Sequence, residues 1–290
     1  MGAVCASAIL TGFFALTVPL MPVQAILIKV SPKSARRFPH WYHRQVCRLL
    51  GVTLKIEGQV VPDQPVLLVC NHTTWLDIPV LSAVAPLSFV AKMEVGGWPF
   101  VSSLARLQRT VFVDRSKRQS AGDVADEITT RLASGDTIVL FAEGTSSDGN
   151  RVLPFKTSLF GAVTGNERES GKVVVQTAAV VYTHLHGIPL ARADRPRVGW
   201  YGDKEMQSHV WGVLKSGPLA VTIKIGAPVP LDRFSGRKDL ALTSEREVRK
   251  AVLGILRGVV ATDVIQPVEP GDDQRRQRLP AATKVNEKWI

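Results

Sequence analysis

A histidine and an aspartate that could act together lie five residues apart, at His72 and Asp77, just after the continuous apolar run Val66–Cys70. The run predicts a buried strand, and the two threonines that follow His72 are residue types that often begin a helix. His72 is therefore expected in a loop at the end of a strand, with Asp77 in the first turn of the next helix. There, Asp77 can fix the imidazole tautomer by accepting a hydrogen bond, and the second ring nitrogen can take a proton from an alcohol.

The same two residues also fit a purely structural role. His72 can cap the helix, and Asp77 can interact favourably with the positive end of the helix dipole. A histidine and an aspartate at this spacing occur together often by chance. The buried strand before them favours the catalytic interpretation.

A second polar segment follows another strand-like run, Thr137–Phe141. It begins with Glu143 and continues through small residues to Asp148–Gly149. Backbone N–H groups of such residues can surround an anion, although an Asp-Gly pair also marks an ordinary polar turn. Between the two segments, a short apolar run leads into Arg115, which is either a phosphate ligand or a plain surface charge.

Taken in this order, the three segments resemble the glycerolipid acyltransferase family, which includes the lysophosphatidate acyltransferases. The resemblance extends from Leu54 to Tyr182. It implies that His72 is the general base and Asp77 its partner, that the acyl donor is a thioester of acyl carrier protein or coenzyme A, and that no metal or other cofactor is required. It also implies that the lyso-lipid acceptor is bound by a set of residues around the motifs: Asn71, Arg115, Glu143, Gly144, Thr145 and Ser146.

Three positions depart from the family pattern. Arg109 stands where the family usually has glycine, and Thr177 stands where it usually has proline. Ser146 stands where members with phosphate-bearing acceptors often have arginine. The serine cannot replace the two parallel hydrogen bonds that a guanidinium makes to a phosphate, which argues against lysophosphatidate as the acceptor.

The longer segment Glu143–Gly149, together with Phe155–Lys156 and Trp200–Asp203, resembles the branch of the family that makes ornithine lipids in bacteria. Members of that branch acylate the 3-hydroxyl of lyso-ornithine lipid, which has an amino-acid headgroup and no phosphate. The expected function is therefore acyl transfer from a thioester to lyso-ornithine lipid, and the alternative is acyl transfer to lysophosphatidate.

The N-terminal segment contains no charged residue from Ala3 to Ile28, and it is longer than the roughly 20 residues that a membrane helix needs. Pro19 and Pro22 interrupt it, so a kinked spanning helix and a hairpin inserted into one leaflet both fit. A cleaved signal peptide is the alternative, but the segment lacks a positively charged start. Because many basic residues follow the segment, we expect the catalytic domain to face the cytoplasm. The resemblance to the ornithine-lipid branch implies that the membrane is the inner membrane of a bacterium.

Strand-like and helix-like runs alternate after the anchor, which predicts an α/β fold with a central mixed β-sheet flanked by helices. We divide the chain into a membrane anchor (1–30), an acyltransferase domain (31–262) and a loosely ordered basic tail (263–290). A helix is expected over Ser120–Ala133, and a capping box at Ser244–Glu247 predicts the start of another.

The net charge of +11 favours anionic partners. We expect acyl carrier protein, the lyso-lipid substrate and the anionic surface of the inner membrane, and no nucleic acid, since no recognition motif for it is present. The charge and the anchor also fit a protein of another class, a non-catalytic protein that binds the membrane surface. Lipid binding by such a protein would not depend on His72.

Overall fold

The computed structural model describes residues 2–62, 64–92, 97–113, 120–161 and 173–258. Arg115 and the tail 263–290 lie outside these residues, so the predictions made for them are untested. The helices are α1 (Ala3–Val30), α2 (Pro32–Leu49), α3 (Asp77–Ser82), α4 (Pro99–Leu107), α5 (Ser120–Ala133), α6 (Arg195–Val198), α7 (Met206–Ser216) and α8 (Arg237–Gly258). The strands are β1 (Val52–Glu57), β2 (Val66–Cys70), β3 (Ser88–Lys92), β4 (Val111–Val113), β5 (Thr137–Phe141), β6 (Val174–Leu185), β7 (Ile188–Pro189), β8 (Leu219–Ile225) and β9 (Val229–Pro230).

The strands form one mixed sheet in the order β1-β8-β6-β2-β5-β3-β4, with the short strands β7 and β9 also paired to β6. β2 lies in parallel between β5 and β6, and all five of its residues are buried. One hydrophobic core lies on each face of the sheet, as expected for a strand that is apolar throughout. Because Cys70 pairs with Phe141 at the end of β2 and β5, the two motif segments leave the sheet side by side.

The N-terminal segment is one continuous helix that passes through Pro19 and Pro22. It runs antiparallel along α2. Near the end of α1 the amide of Gln24 donates to the carbonyl of Ala35, near the start of α2. Further back along α1, the hydroxyl of Thr17 lies 2.7 Å from that of Tyr42, further forward along α2. Among the described residues, α1 is the one helix long and apolar enough to cross a membrane, although a signal sequence at this end of the chain would meet the same criteria.

A buried carboxylate ties α2 to the edge of the sheet opposite the motifs. The Asp136 side chain lies 2.7 Å from Arg36 of α2, 2.8 Å from Arg109 and 3.0 Å from Arg131. Arg109 has a φ of 62°, in the left-handed region that favours glycine. This conformation explains why glycine is usual at this position in the family. The arginine of this chain adds an ion pair with Asp136.

Replacing Asp136 with asparagine is expected to lower the free energy of unfolding by about 3 kcal/mol, because three arginines lose their buried counter-charge. Urea unfolding of the detergent-solubilised protein measures this change. Asp194→Asn is the matched control, because its contact with Arg197 is long and exposed and should contribute less than about 1 kcal/mol. Equal losses in the two variants would show that the Asp136 contacts stabilise no more than a surface pair does.

The predicted capping box at Ser244 is wrong as a helix start. α8 begins at Arg237, and Ser244 is buried within it. Glu245, the residue after Ser244, has another role. Its carboxylate accepts a hydrogen bond of 2.8 Å from the backbone N–H of Phe155. This contact holds α8 against the loop that follows the second motif.

Candidate active site

His72 and Asp77 meet at the corner between β2 and α3. The imidazole Nδ1 lies 2.8 Å from Oδ2 of Asp77, whose side chain is fully buried. The same oxygen accepts hydrogen bonds from the backbone N–H groups of Thr73 and Thr74, at 2.7 and 3.0 Å. A carboxylate in this position requires a proton on Nδ1, so in the neutral imidazole Nε2, on the far side of the ring, is the nitrogen that can accept a proton.

Tyr182 completes the surroundings of Asp77, and the sequence motifs gave no sign of it. Its hydroxyl donates a 2.8 Å hydrogen bond to Oδ1 of Asp77. Burial raises the pKa of the phenol well above its ordinary value, so the group stays a donor at any pH at which the protein is folded. Asp77 therefore accepts four hydrogen bonds in a dry environment, which fixes its orientation toward His72.

The imidazole ring lies flat against Phe141, the last residue of β5. The ring centroids are 4.1 Å apart and the planes differ by 20°. Phe89 of β3 also stacks with Phe141, with ring centroids 5.9 Å apart. The His72 side chain keeps 18% of its surface exposed, so the imidazole is held on one face yet remains accessible.

Glu143 is almost fully buried and lies beneath the loop that carries His72. One carboxylate oxygen accepts the backbone N–H of His72 and the other accepts that of Leu153, both at 2.8 Å. Burial raises the pKa of this carboxyl to about 7. In this structure Glu143 positions the histidine, and its predicted contact with the acceptor lipid stays a prediction.

The remaining predicted site residues surround this centre in different ways. The buried amide of Asn71 exchanges two 2.9 Å hydrogen bonds with the backbone of Val180, so it joins the loop to β6. Gly144 has a φ of 67° and forms the turn after β5, and Thr145 is exposed. The hydroxyl of Ser146 donates to the backbone carbonyl of Trp200. The roles of these residues in acceptor binding stay predictions.

The two motif loops and the Trp200 segment are also joined through their backbones. The N–H of Ser147 donates to the carbonyl of His72 at 2.8 Å, and the N–H of Trp200 donates to that of Thr73 at 2.9 Å. The N–H of Gly149 lies 3.3 Å from the hydroxyl of Ser147. These three N–H groups bond within the protein, and the anion-binding role considered for the segment stays a prediction.

Comparison with known proteins agrees with this arrangement. The profile of the Acyltransferase family matches residues 52–192. The lyso-ornithine lipid O-acyltransferase of Brucella abortus is 45% identical over 252 residues, which are 86% of this chain and 94% of that protein. The chain belongs to the acyltransferase family. The lyso-ornithine lipid O-acyltransferase of Rhizobium meliloti is 43% identical to this acyltransferase and covers 82% of each chain.

The crystal structure of the 1-acyl-sn-glycerophosphate acyltransferase of Thermotoga maritima has the same fold. It superposes with a TM-score of 0.63 at 22% identity and covers 87% of this chain and 94% of that one. The predicted family and the predicted mixed sheet flanked by helices are thus confirmed. The protein is an enzyme that transfers acyl groups other than aminoacyl groups.

The high pKa of Glu143 predicts a dependence of stability on pH. The ordinary value is 4.5 and the folded value is about 7, so the folded state binds the proton more tightly than the unfolded state. The stability contributed by this proton is complete below pH 4.5 and is lost as the pH rises to 7. The loss is about 3 kcal/mol.

Glu143→Gln removes this titration, so its free energy of unfolding should change less than that of the wild type across the same pH range. Urea unfolding at several pH values measures the difference. Glu247→Gln, on the exposed face of α8, should keep the wild-type slope. The same slope in Glu143→Gln and the wild type would contradict the assignment.

Tyr182→Phe is expected to lower kcat for acyl transfer about tenfold. Without the phenol, Asp77 accepts one hydrogen bond fewer, so the carboxylate holds the imidazole less firmly in its reactive orientation. Tyr42→Phe removes a comparable hydroxyl bond, to Thr17, and should keep the wild-type kcat, measured as the rate of acylated-lipid formation. A Tyr182→Phe enzyme with the wild-type kcat would restrict Tyr182 to a packing role.

Proposed function

We propose that this acyltransferase moves a fatty acyl group from an acyl carrier protein thioester to the hydroxyl of lyso-ornithine lipid. The observation that carries the mechanism is the 2.8 Å contact between Nδ1 of His72 and Asp77, which leaves Nε2 to accept a proton. As the acceptor oxygen attacks the thioester carbonyl, its proton passes to Nε2. The tetrahedral intermediate then collapses, the carbon–sulfur bond breaks, and the imidazolium returns the proton to the departing thiolate. General-base assistance of this kind increases rates about 10²–10⁴-fold.

The acceptor assignment is supported by the names of the two relatives and by the surroundings of Ser146. The side chain at this position carries no positive charge. Its hydroxyl is bound to the Trp200 carbonyl within the protein. A headgroup without a phosphate fits that environment better than lysophosphatidate, which remains the alternative acceptor. A phosphate at this position would lack the bidentate partner that a guanidinium provides.

The donor and the location follow from charge and from α1. A net charge of +11 favours binding of an acidic carrier protein and of an anionic membrane surface, with coenzyme A as the alternative carrier. α1 exposes apolar side chains such as Val18, Val23 and Ile26, and it lies against α2 for much of its length. We propose that it anchors the enzyme in the bacterial inner membrane, with the catalytic domain in the cytoplasm.

Lipid profiling of a deletion strain tests the acceptor. Loss of the enzyme should cause lyso-ornithine lipid to accumulate, and only a plasmid with an intact His72 should restore ornithine lipid. An unchanged level of lyso-ornithine lipid, with accumulation of lysophosphatidate, would replace the proposed acceptor with the alternative.

Assays of the purified enzyme in lipid micelles separate the remaining possibilities. Acyl carrier protein and coenzyme A thioesters are compared as donors, and the products are analysed for acylated lipid and free fatty acid. Formation of acylated lipid excludes a non-catalytic membrane-binding protein. Free fatty acid as the main product would show a hydrolase that activates water instead of a lipid hydroxyl.

A further inference from the structure

A cavity of about 260 Å³ lies between α2, β1 and the end of α3. Arg44, Cys47 and Arg48 line it from α2, and their spacing puts them on one face of the helix. None of the described residues that line the cavity is acidic, and apolar side chains such as Val52, Leu54 and Ala83 are among them. The cavity thus combines apolar walls with two guanidinium groups one helical turn apart.

The cavity lies behind the catalytic pair, on the Asp77 side. Leu54 and Tyr182 both pair with Val221 of β8, so the cavity is at the level of the Tyr182–Asp77 hydrogen bond, two strands away. Nε2 of His72 faces the other way, because Nδ1 of the same ring is bound to Asp77. A group bound in this cavity therefore lies on the side of the catalytic pair away from Nε2.

Two arginines on one helix face suit a phosphate, because each guanidinium carries five N–H donors. One of these donors, on Nη1 of Arg48, is bonded to Oε1 of Gln45 at 2.9 Å. The cavity is also beside the membrane helix. Leu49, next to Arg48, packs so closely on Gly12 of α1 that a β-carbon at Gly12 would lie 3.0 Å from it. Two residues further along α1, Phe14 is exposed, so an acyl chain can lie along α1 while its phosphate reaches the arginines.

We propose that this cavity binds the phosphate of an anionic phospholipid, separately from the acyl donor and acceptor. The bound lipid would fasten α2 to the membrane surface next to the Tyr182–Asp77 hydrogen bond. Basic pockets beside membrane helices bind anionic headgroups in the same way. The inference is independent of which lyso-lipid the enzyme acylates.

Native mass spectrometry of the full-length enzyme in detergent tests the site, with phosphatidylglycerol or phosphatidylcholine added. The wild type should retain one phosphatidylglycerol and no phosphatidylcholine. The double variant Arg44→Gln/Arg48→Gln should lower phosphatidylglycerol occupancy about tenfold. Arg37→Gln removes a charge from an exposed position of the same helix, outside the cavity, and should retain the lipid as the wild type does.

Several results would overturn the proposal. Equal retention of the two lipids, or an equal loss in Arg37→Gln, would show that only the overall charge attracts lipid. Binding of inorganic phosphate that displaces phosphatidylglycerol would assign the cavity to free phosphate instead. Circular dichroism checks that the double variant is folded, and if it is not, Arg48→Gln alone decides the test, because Arg48 is exposed.

Discussion

Replacing His72 with alanine is expected to lower kcat for acyl transfer about a thousandfold, with little change in KM. The imidazole is the only part of the site that the substitution removes, because the bond from the His72 backbone to Glu143 does not involve the side chain. The hydroxyl of the acceptor would then attack without a base to take its proton. The measurement is the rate of acylated-lipid formation by purified enzyme with an acyl carrier protein thioester and lyso-ornithine lipid.

His184→Ala is the matched control for this substitution. His184 is in β6, and its ring nitrogen contacts only the neighbouring Thr183 hydroxyl among the hydrogen bonds of the described residues. It should keep wild-type kcat. If the His72→Ala enzyme retained full activity, the base would be another group, and loss of activity in both variants would indicate a general sensitivity of the fold.

Much of the fold was accessible from the sequence because its signals are local. β2 is a run of five apolar residues, and its predicted bounds, Val66–Cys70, are those observed. The helix α5 has the predicted bounds Ser120–Ala133, since three apolar residues one turn apart precede a glycine that can end a helix. The meeting of His72 and Asp77 followed from the same reasoning, because both residues belong to one strand–loop–helix corner.

The remaining parts of the site depend on strand register, which a sequence does not encode locally. Tyr182 reaches Asp77 because β6 extends seven residues beyond its last pair with β2, and nothing in the apolar run around it marks that extension. Glu143 was expected to contact the lipid, and only the tertiary structure shows both of its oxygens bound to backbone N–H groups. The capping box at Ser244 failed because the helix already begins at Arg237, so Ser244 and Glu247 lie inside α8.

Replacing Asp77 with asparagine is expected to lower kcat about as much as loss of the histidine, about a thousandfold. The amide has the shape of the carboxylate, and its oxygen can still accept the N–H groups of Thr73 and Thr74. Its NH₂ group would face Tyr182, whose hydroxyl can rotate to accept a hydrogen bond from it. The local structure should therefore persist, while the charge that stabilises the imidazolium is lost, so thermal unfolding should show a small change and kcat a large one.

The double variant His72→Ala/Asp77→Asn distinguishes a positioning role for Asp77 from an independent one. If Asp77 acts only through the imidazole, the double variant should be no slower than His72→Ala alone, because groups that act as a unit give non-additive losses. Asp194→Asn, an exposed substitution, should leave kcat unchanged in either background. If the loss of kcat in the double variant were the product of the two single losses, Asp77 would contribute to the reaction without His72. The pairing proposed from their 2.8 Å contact would then describe only part of the role of Asp77.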